Sequence, residues 1–262
     1  MVHAAALSEA ALRARLGDAI PEMIDVVVAR LGELAGGGTP GLLDAIVSDP
    51  ADAALVASLA GAAGWALPGK IAVIVLDSAI PPPPLPADTL ADWSRAEPVL
   101  VLPDPDGPGR VAAIGRALRG GRAAIGPVVP LAHAGRSLRW ARQALELSHR
   151  GILGSGLVRC EEHLSTLLLL ADTDLARTLL RSRLAPLTRL RPIQRDRIAQ
   201  TMLAWLELGE NAAEVAHYLH VHPQTVRYRL RRIQELFGDQ LRDAQRRFEL
   251  VLALRARELL DG

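Results

Sequence analysis

Residues 211–237 read NAAEVAHYLHVHPQTVRYRLRRIQELF, and the rest of the chain is organised around this stretch. Asn211 is a good helix N-cap, and Ala212, Val215, Ala216 and Leu219 follow at helical spacing until Val221-His222-Pro223 breaks the pattern. This predicts one short helix and a tight turn. Pro223 lacks a backbone donor and has a preset φ, which suits the first turn of a second helix running to about Phe237, with His222 or Val221 near its cap.

A rotation of about 100° per residue places Val226, Leu230, Ile233 and Phe237 in one narrow, inward-packing stripe. Gln224, Tyr228 and Arg231 lie opposite, with Thr225, Arg227 and Arg232 on the flanks. No Asp or Glu occurs between Glu214 and Glu235, whereas Arg227, Arg229, Arg231 and Arg232 are crowded together. A face of one sign suits a phosphate backbone, and Arg and Gln can make bidentate contacts to guanine and adenine edges. The plainer alternative is a solvated amphipathic helix kept soluble by its arginines. The coincidence of cap, turn, proline and acid-free face favours a DNA-reading helix-turn-helix. On that reading Gln224, Tyr228 and Arg231 face the bases, and Thr225, Arg227, Arg232 and His222 face phosphates. Arg229 falls at the core edge, where its stem can pack and its head reach a carboxylate.

The span HVHPQTVRYRLRRIQELFG at 220–238 resembles the C-terminal helix-turn-helix of bacterial transcription factors of the PucR (purine catabolism regulator) and CdaR (sugar-diacid regulator) type. Upstream, LLLLADTDLARTLLRSRLAPLTRL and IAQTMLAWLELGENAAEVAHYL resemble the helices preceding that motif; downstream, DAQRRFELVLALRARELL resembles its closing helix. Pro223-Gln224 departs from the family, which more often has a basic residue and Asn, so base preference does not carry over. The resemblance implies a sequence-specific regulator, leaning towards activation in response to a metabolite.

The chain has 262 residues, enough for two or three small domains. With 30 basic and 29 acidic residues the net charge is +1, so the charge that matters is local to 222–232. Cys160 is the only cysteine, which excludes an intrachain disulfide and a Cys-based zinc cluster and fits a reducing cytoplasm. The N-terminus has no basic-then-apolar signal architecture, and no apolar run approaches the roughly 20 residues a bilayer needs. A cytoplasmic protein without membrane partners is expected.

Residues 7–35 carry apolar stripes at helical spacing, 36–41 (GGGTPG) reads as a turn, and 42–66 returns to helix. In this last stretch Asp49-Pro50 is the start signal and Leu55, Val56, Leu59, Ala62 and Ala63 form the apolar face. At Gly69-Lys70 the period changes: IAVIVL at 71–76 has the length and β-branching of a strand buried on both faces. The prolines of 81–86 read as an extended connection. Further strands are expected at 99–102, 123–126 and 157–158, with helices over 108–118 and 137–147. This order suggests a small α/β sandwich. It loosely resembles the degenerate nucleotide-cyclase-like (GGDEF-like) domain preceding the motif in that family, chiefly through AAIGPVVPLAHAGRSLRWARQAL. The expected organisation is an N-terminal helical module over 1–68, an α/β domain over 69–159 and an all-α DNA-binding domain over 160–262.

A cyclase of that fold would need paired carboxylates holding two metal ions. Asp77, at the end of the first strand, and Asp104 and Asp106, after the second, are the candidates. No Gly-Gly-Asp-Glu-Phe signature exists, and 103–107 (PDPDG) reads more simply as turn chemistry. His217, His220 and His222 are close in sequence but divided between helix and turn. Cys160 near His163 is a same-helix coincidence. No catalytic residue, metal or cofactor is therefore expected. The expected partners are double-stranded DNA, a second copy of the chain or a higher oligomer, and a small-molecule effector. The alternatives are a nucleotide-binding or nucleotide-converting enzyme using the middle domain, and a C-terminal domain that binds protein.

Overall fold

The computed structural model describes residues 39–77, 84–118, 120–209 and 211–261. The helices expected over 7–35 lie outside the described residues, as do 36–38 and the first prolines of the connection at 81–83. The architecture mixes α and α/β parts in two compact units, Met1–Glu161 and Glu162–Gly262. Among the described residues no helix is long and apolar enough to cross a membrane.

In the first unit, α1 (Thr39–Val47) and α2 (Ala53–Ala63) precede a sheet of β1 (Lys70–Leu76), β2 (Leu90–Asp92), β3 (Val99–Pro103), β4 (Ala123–Ile125), β5 (Val129–Pro130) and β6 (Leu157–Arg159). The helices α3 (Arg110–Ala117) and α4 (Ala134–His149) complete it. The strand order is β2-β3-β1-β4-β6, with β5 also on β1. β1 pairs antiparallel with β3, β4 and β5, and β4 pairs parallel with β6. Side chains alternate across β1, so Ala72, Ile74 and Leu76 meet Ile114 of α3 in one core. Ile71, Val73 and Val75 point to the opposite face, also fully buried, and α4 packs against β1. The continuous apolar run is thus a central strand covered on both sides.

One close approach fixes α4 on the sheet. Ser137 accepts from the Val73 N–H at 3.0 Å and donates to the Pro127 carbonyl at 2.9 Å. A Cβ on Gly126 would lie 2.1 Å from the Ser137 carbonyl oxygen, so the strand must end in glycine there. Near α1, Arg95 joins Asp92 at 2.7 Å and also Asp44. Burial alone would raise the Asp92 carboxyl, but hydrogen bonds from Ser94 and Arg95 hold it below its usual value.

The N-terminal part of this unit corrects two expectations. Thr39-Pro40-Gly41 opens α1 rather than forming a turn, because proline is accommodated in a helix's first turn. The second helix is capped by Asp52, whose carboxylate accepts from Ala54 and Leu55 N–H, and not by Asp49. Its buried face is Val56 and Ala60, leaving Leu55, Ala62 and Ala63 exposed. β2 and β5, three and two residues long, were not anticipated, being too short to show a period.

Among its described residues the second unit is helical, with α5 (Leu164–Leu169), α6 (Thr173–Arg183), α7 (Pro192–Glu207), α8 (Ala212–Tyr218), α9 (Pro223–Phe237) and α10 (Ala244–Asp261). Its main core joins Ile198, Met202 and Leu203 of α7, Ile233 and Phe237 of α9 and Leu250, Ala253 and Leu254 of α10, over Leu184, Leu187 and Leu190. A smaller core joins Ala204 of α7, Val215 and Ala216 of α8 and Val226 of α9. Helix α7 is therefore the post against which both α8 and α9 are set.

Candidate nucleic-acid interface

The path from α8 to α9 is specified by its caps. Asn211 Oδ1 accepts from the N–H groups of Ala213 and Glu214, while its amide donates to the Glu214 carboxylate at 2.9 Å. At the other end of α8 the Val221 N–H donates to the Ala216 carbonyl at 3.0 Å and the His220 N–H to that of His217 at 3.2 Å. These two bonds form a Schellman closure, with His220 in the left-handed position at φ 51° where glycine is usual. The chain then turns at once into α9. His222 is its N-cap, its Nδ1 accepting from the Gln224 N–H at 3.2 Å, and Pro223 follows in the first turn. Of the two cap candidates, His222 is the one used.

Along α9, Val226, Ile233 and Phe237 are buried and Leu230 is partly buried against both cores. Gln224, Arg227, Tyr228 and Arg231 are exposed, Tyr228 at 63 %; Thr225 and Arg232 are half-buried at the flanks. Arg227 donates to the Gln224 amide oxygen at 3.4 Å, linking a flank residue to the outward row. Arg232 pairs with Glu235 at 2.7 Å, so any phosphate it meets must compete with that exposed ion pair. Such a pair is worth only about 0.3–0.5 kcal/mol.

Arg229 departs from expectation. Its stem does lie at the core edge, but its head donates to the Thr201 hydroxyl of α7 at 3.1 Å and meets no carboxylate among the described residues. Burial, and then the charge of Arg197, push its guanidinium below the usual arginine range. The packing of α7 brings Arg191 and Arg197 beside the N-terminal half of α9, and the sequence reading had passed over both. The available signal was the Arg-Pro start of α7, followed by two more arginines within its first turns.

The carboxylates considered for metal binding are not brought together. Ile71 of β1 pairs with Pro103 of β3, which puts Asp104 and Asp106 beside Lys70, with Lys70 and Asp106 3.3 Å apart. Asp77 lies at the other end of β1, roughly 20 Å away by strand rise, and is 3.3 Å from His149. Among the described residues no group of three or more His, Cys, Asp or Glu could hold a metal ion. Cys160 and His163 do not share a helix: Cys160 lies in a 3₁₀ turn and His163 caps α5. Burial, aided by the Glu161 charge, pushes the Cys160 thiol up to about 12, so it is a packing group.

Among the comparisons with known proteins, the family match falls on this region. No curated protein matches the chain. Among solved structures, the crystal structure of a regulator of polyketide synthase expression from Bifidobacterium adolescentis is similar at 22% sequence identity, covering 86% of this chain and 92% of that one with a TM-score of 0.38. Residues 198–256 match the family of PucR C-terminal helix-turn-helix domains, a span running from mid-α7 through α8 and α9 into α10. Over residues 198–256 the helical unit of this chain is therefore similar to the C-terminal helix-turn-helix domains of the PucR type.

Proposed function

We propose that the protein is a transcriptional regulator that reads a specific operator in double-stranded DNA with α9 in the major groove. Gln224, Tyr228 and Arg231 contact base edges, while Thr225, Arg227, Arg232 and His222 hold the two phosphate backbones. One observation carries this reading: from Gln224 to Arg232 the outward face of α9 is exposed, cationic and free of acids, on a helix fixed at its start by His222 and along its length by Val226, Ile233 and Phe237. His222 uses Nδ1 for the cap, so Nε2 is the nitrogen it has left for a phosphate.

The regulator acts from the cytoplasm as a homodimer or higher oligomer, since one helix reads too few base pairs for useful specificity. Its resemblance to the PucR and CdaR regulators supports activation in response to a small-molecule effector, with a GGDEF-like α/β domain that performs no catalysis between an N-terminal helical module and the DNA-binding domain. The separation of Asp77 from Asp104 and Asp106 weighs against the nucleotide-converting alternative, which needs them on one pair of metals. Genomic footprinting with the purified full chain tests the proposal. Protection of a common sequence upstream of a small set of genes is expected; uniform, sequence-independent protection would contradict it.

A further inference from the structure

Beside α9 runs an open groove of about 680 Å³ lined by Arg191, Ile193, Arg197, Ile198, Tyr228 and Arg229 with their neighbours. Its charged lining is entirely cationic. Among the described residues of this unit, most arginines near a carboxylate use it: Arg183 meets Glu249, Arg255 meets Glu207 and Arg257 meets Asp196. Arg191, Arg197 and Arg229 form no ion pair with another described residue, although Arg229 is half-buried and feels the like charge of Arg197. Facing guanidinium groups without a carboxylate repel one another, and an anion between them removes that cost. The groove also exposes apolar surface, with Ile193 69% and Tyr228 63% exposed. Cations over an apolar wall suit the alternating phosphates and deoxyribose rings of a nucleic-acid strand.

We propose that this groove holds the sugar–phosphate backbone of one DNA strand, with Arg191 and Arg197 as phosphate contacts outside the helix-turn-helix. The proposal rests on α9 entering the major groove. Tyr228 of the outward row and Thr225 of the flank both also line the groove, so a strand leaving the bases under α9 passes directly onto α7. Helix α7 then serves as a clamp that sets how deeply and at what angle α9 sits. Arg229, tied to Thr201, positions the groove wall and adds charge from beneath.

The test is fluorescence anisotropy of the full chain on its footprinted operator and on a scrambled duplex across a salt series, with Arg191→Gln and Arg197→Gln alone and together. The double variant should lower the salt slope by about two units and weaken both duplexes on the order of tenfold at about 0.15 M salt. The operator-to-scrambled ratio should stay unchanged, and Arg197→Lys in place of Arg197→Gln in the double variant should restore about one of the two units. An unchanged slope in the double variant overturns the proposal. So does a double variant that loses only inorganic pyrophosphate binding by calorimetry, which would make the groove a site for a small anion. Should the double variant fail to fold, the wild-type chain decides: methylphosphonates placed one at a time beyond the contacted bases should weaken binding at one or two positions per half-site, and uniform tolerance overturns the proposal. If Arg231→Ala relaxes base preference while the slope of the Arg191/Arg197 variant stays put, only the groove falls. If neither set has any effect, the assignment of α9 falls with it.

Discussion

His220 holds a backbone conformation that most L-residues avoid, at φ 51°, because the two bonds closing α8 require it there. Histidine is among the side chains that tolerate this region better than most, but the sequence alone places His220 only among three histidines divided between helix and turn. A β-branched residue suffers most in this region, so His220→Val should destabilise the domain by about 1–2 kcal/mol, whereas His220→Gly should be close to neutral. Thermal melts of the two variants decide it, and equal melting temperatures would contradict the strained-turn account. Asn211 and Pro223 were legible for the opposite reason: capping and first-turn preferences act within a few residues of chain. The partner of Arg229 was not legible, since Thr201 lies 28 positions away and becomes its neighbour only when α7 packs on α9.

At the scale of elements, period and caps sufficed wherever a segment was long. The start of α9 at Pro223 follows from its cap and proline, and its buried stripe from rotation per residue. Ile233 is 1% exposed at the junction of α7, α9 and α10, so Ile233→Ala should cost about 2–5 kcal/mol in chemical denaturation. A loss below about 1 kcal/mol would mean that α9 is not anchored as described. The sheet taught the complementary lesson. IAVIVL announced a central strand, but the antiparallel pairing that sends Asp77 and Asp104 to opposite ends is a non-local fact of register. Replacing Asp77, Asp104 and Asp106 together by Asn should leave operator affinity unchanged and remove no metal-dependent turnover of GTP or ATP. A wild type that turns over a nucleotide, and a triple variant that does not, would overturn that reading of the α/β domain.

For the whole molecule, the central claim is that a rigid, capped helix presents one row of side chains to bases and two flanking rows to phosphates. Assembly follows from it, because symmetric pairing doubles the bases read; sedimentation of the full chain at micromolar concentration should show a dimer or larger species. A 28.0 kDa monomer with full operator affinity would contradict this. The row assignment itself is tested most directly by anisotropy titrations of Arg231→Ala and Arg227→Ala on operator and scrambled duplexes across a salt series. Arg231→Ala should cost about 1–3 kcal/mol on the operator and relax preference at one base position, as loss of a bidentate base contact does. Arg227→Ala should weaken both duplexes alike and lower the salt slope by about one unit, the mark of a lost phosphate contact. Equal losses on the two duplexes for Arg231→Ala would contradict the account, because they would show that its side chain holds the backbone and that another face of α9 reads the sequence.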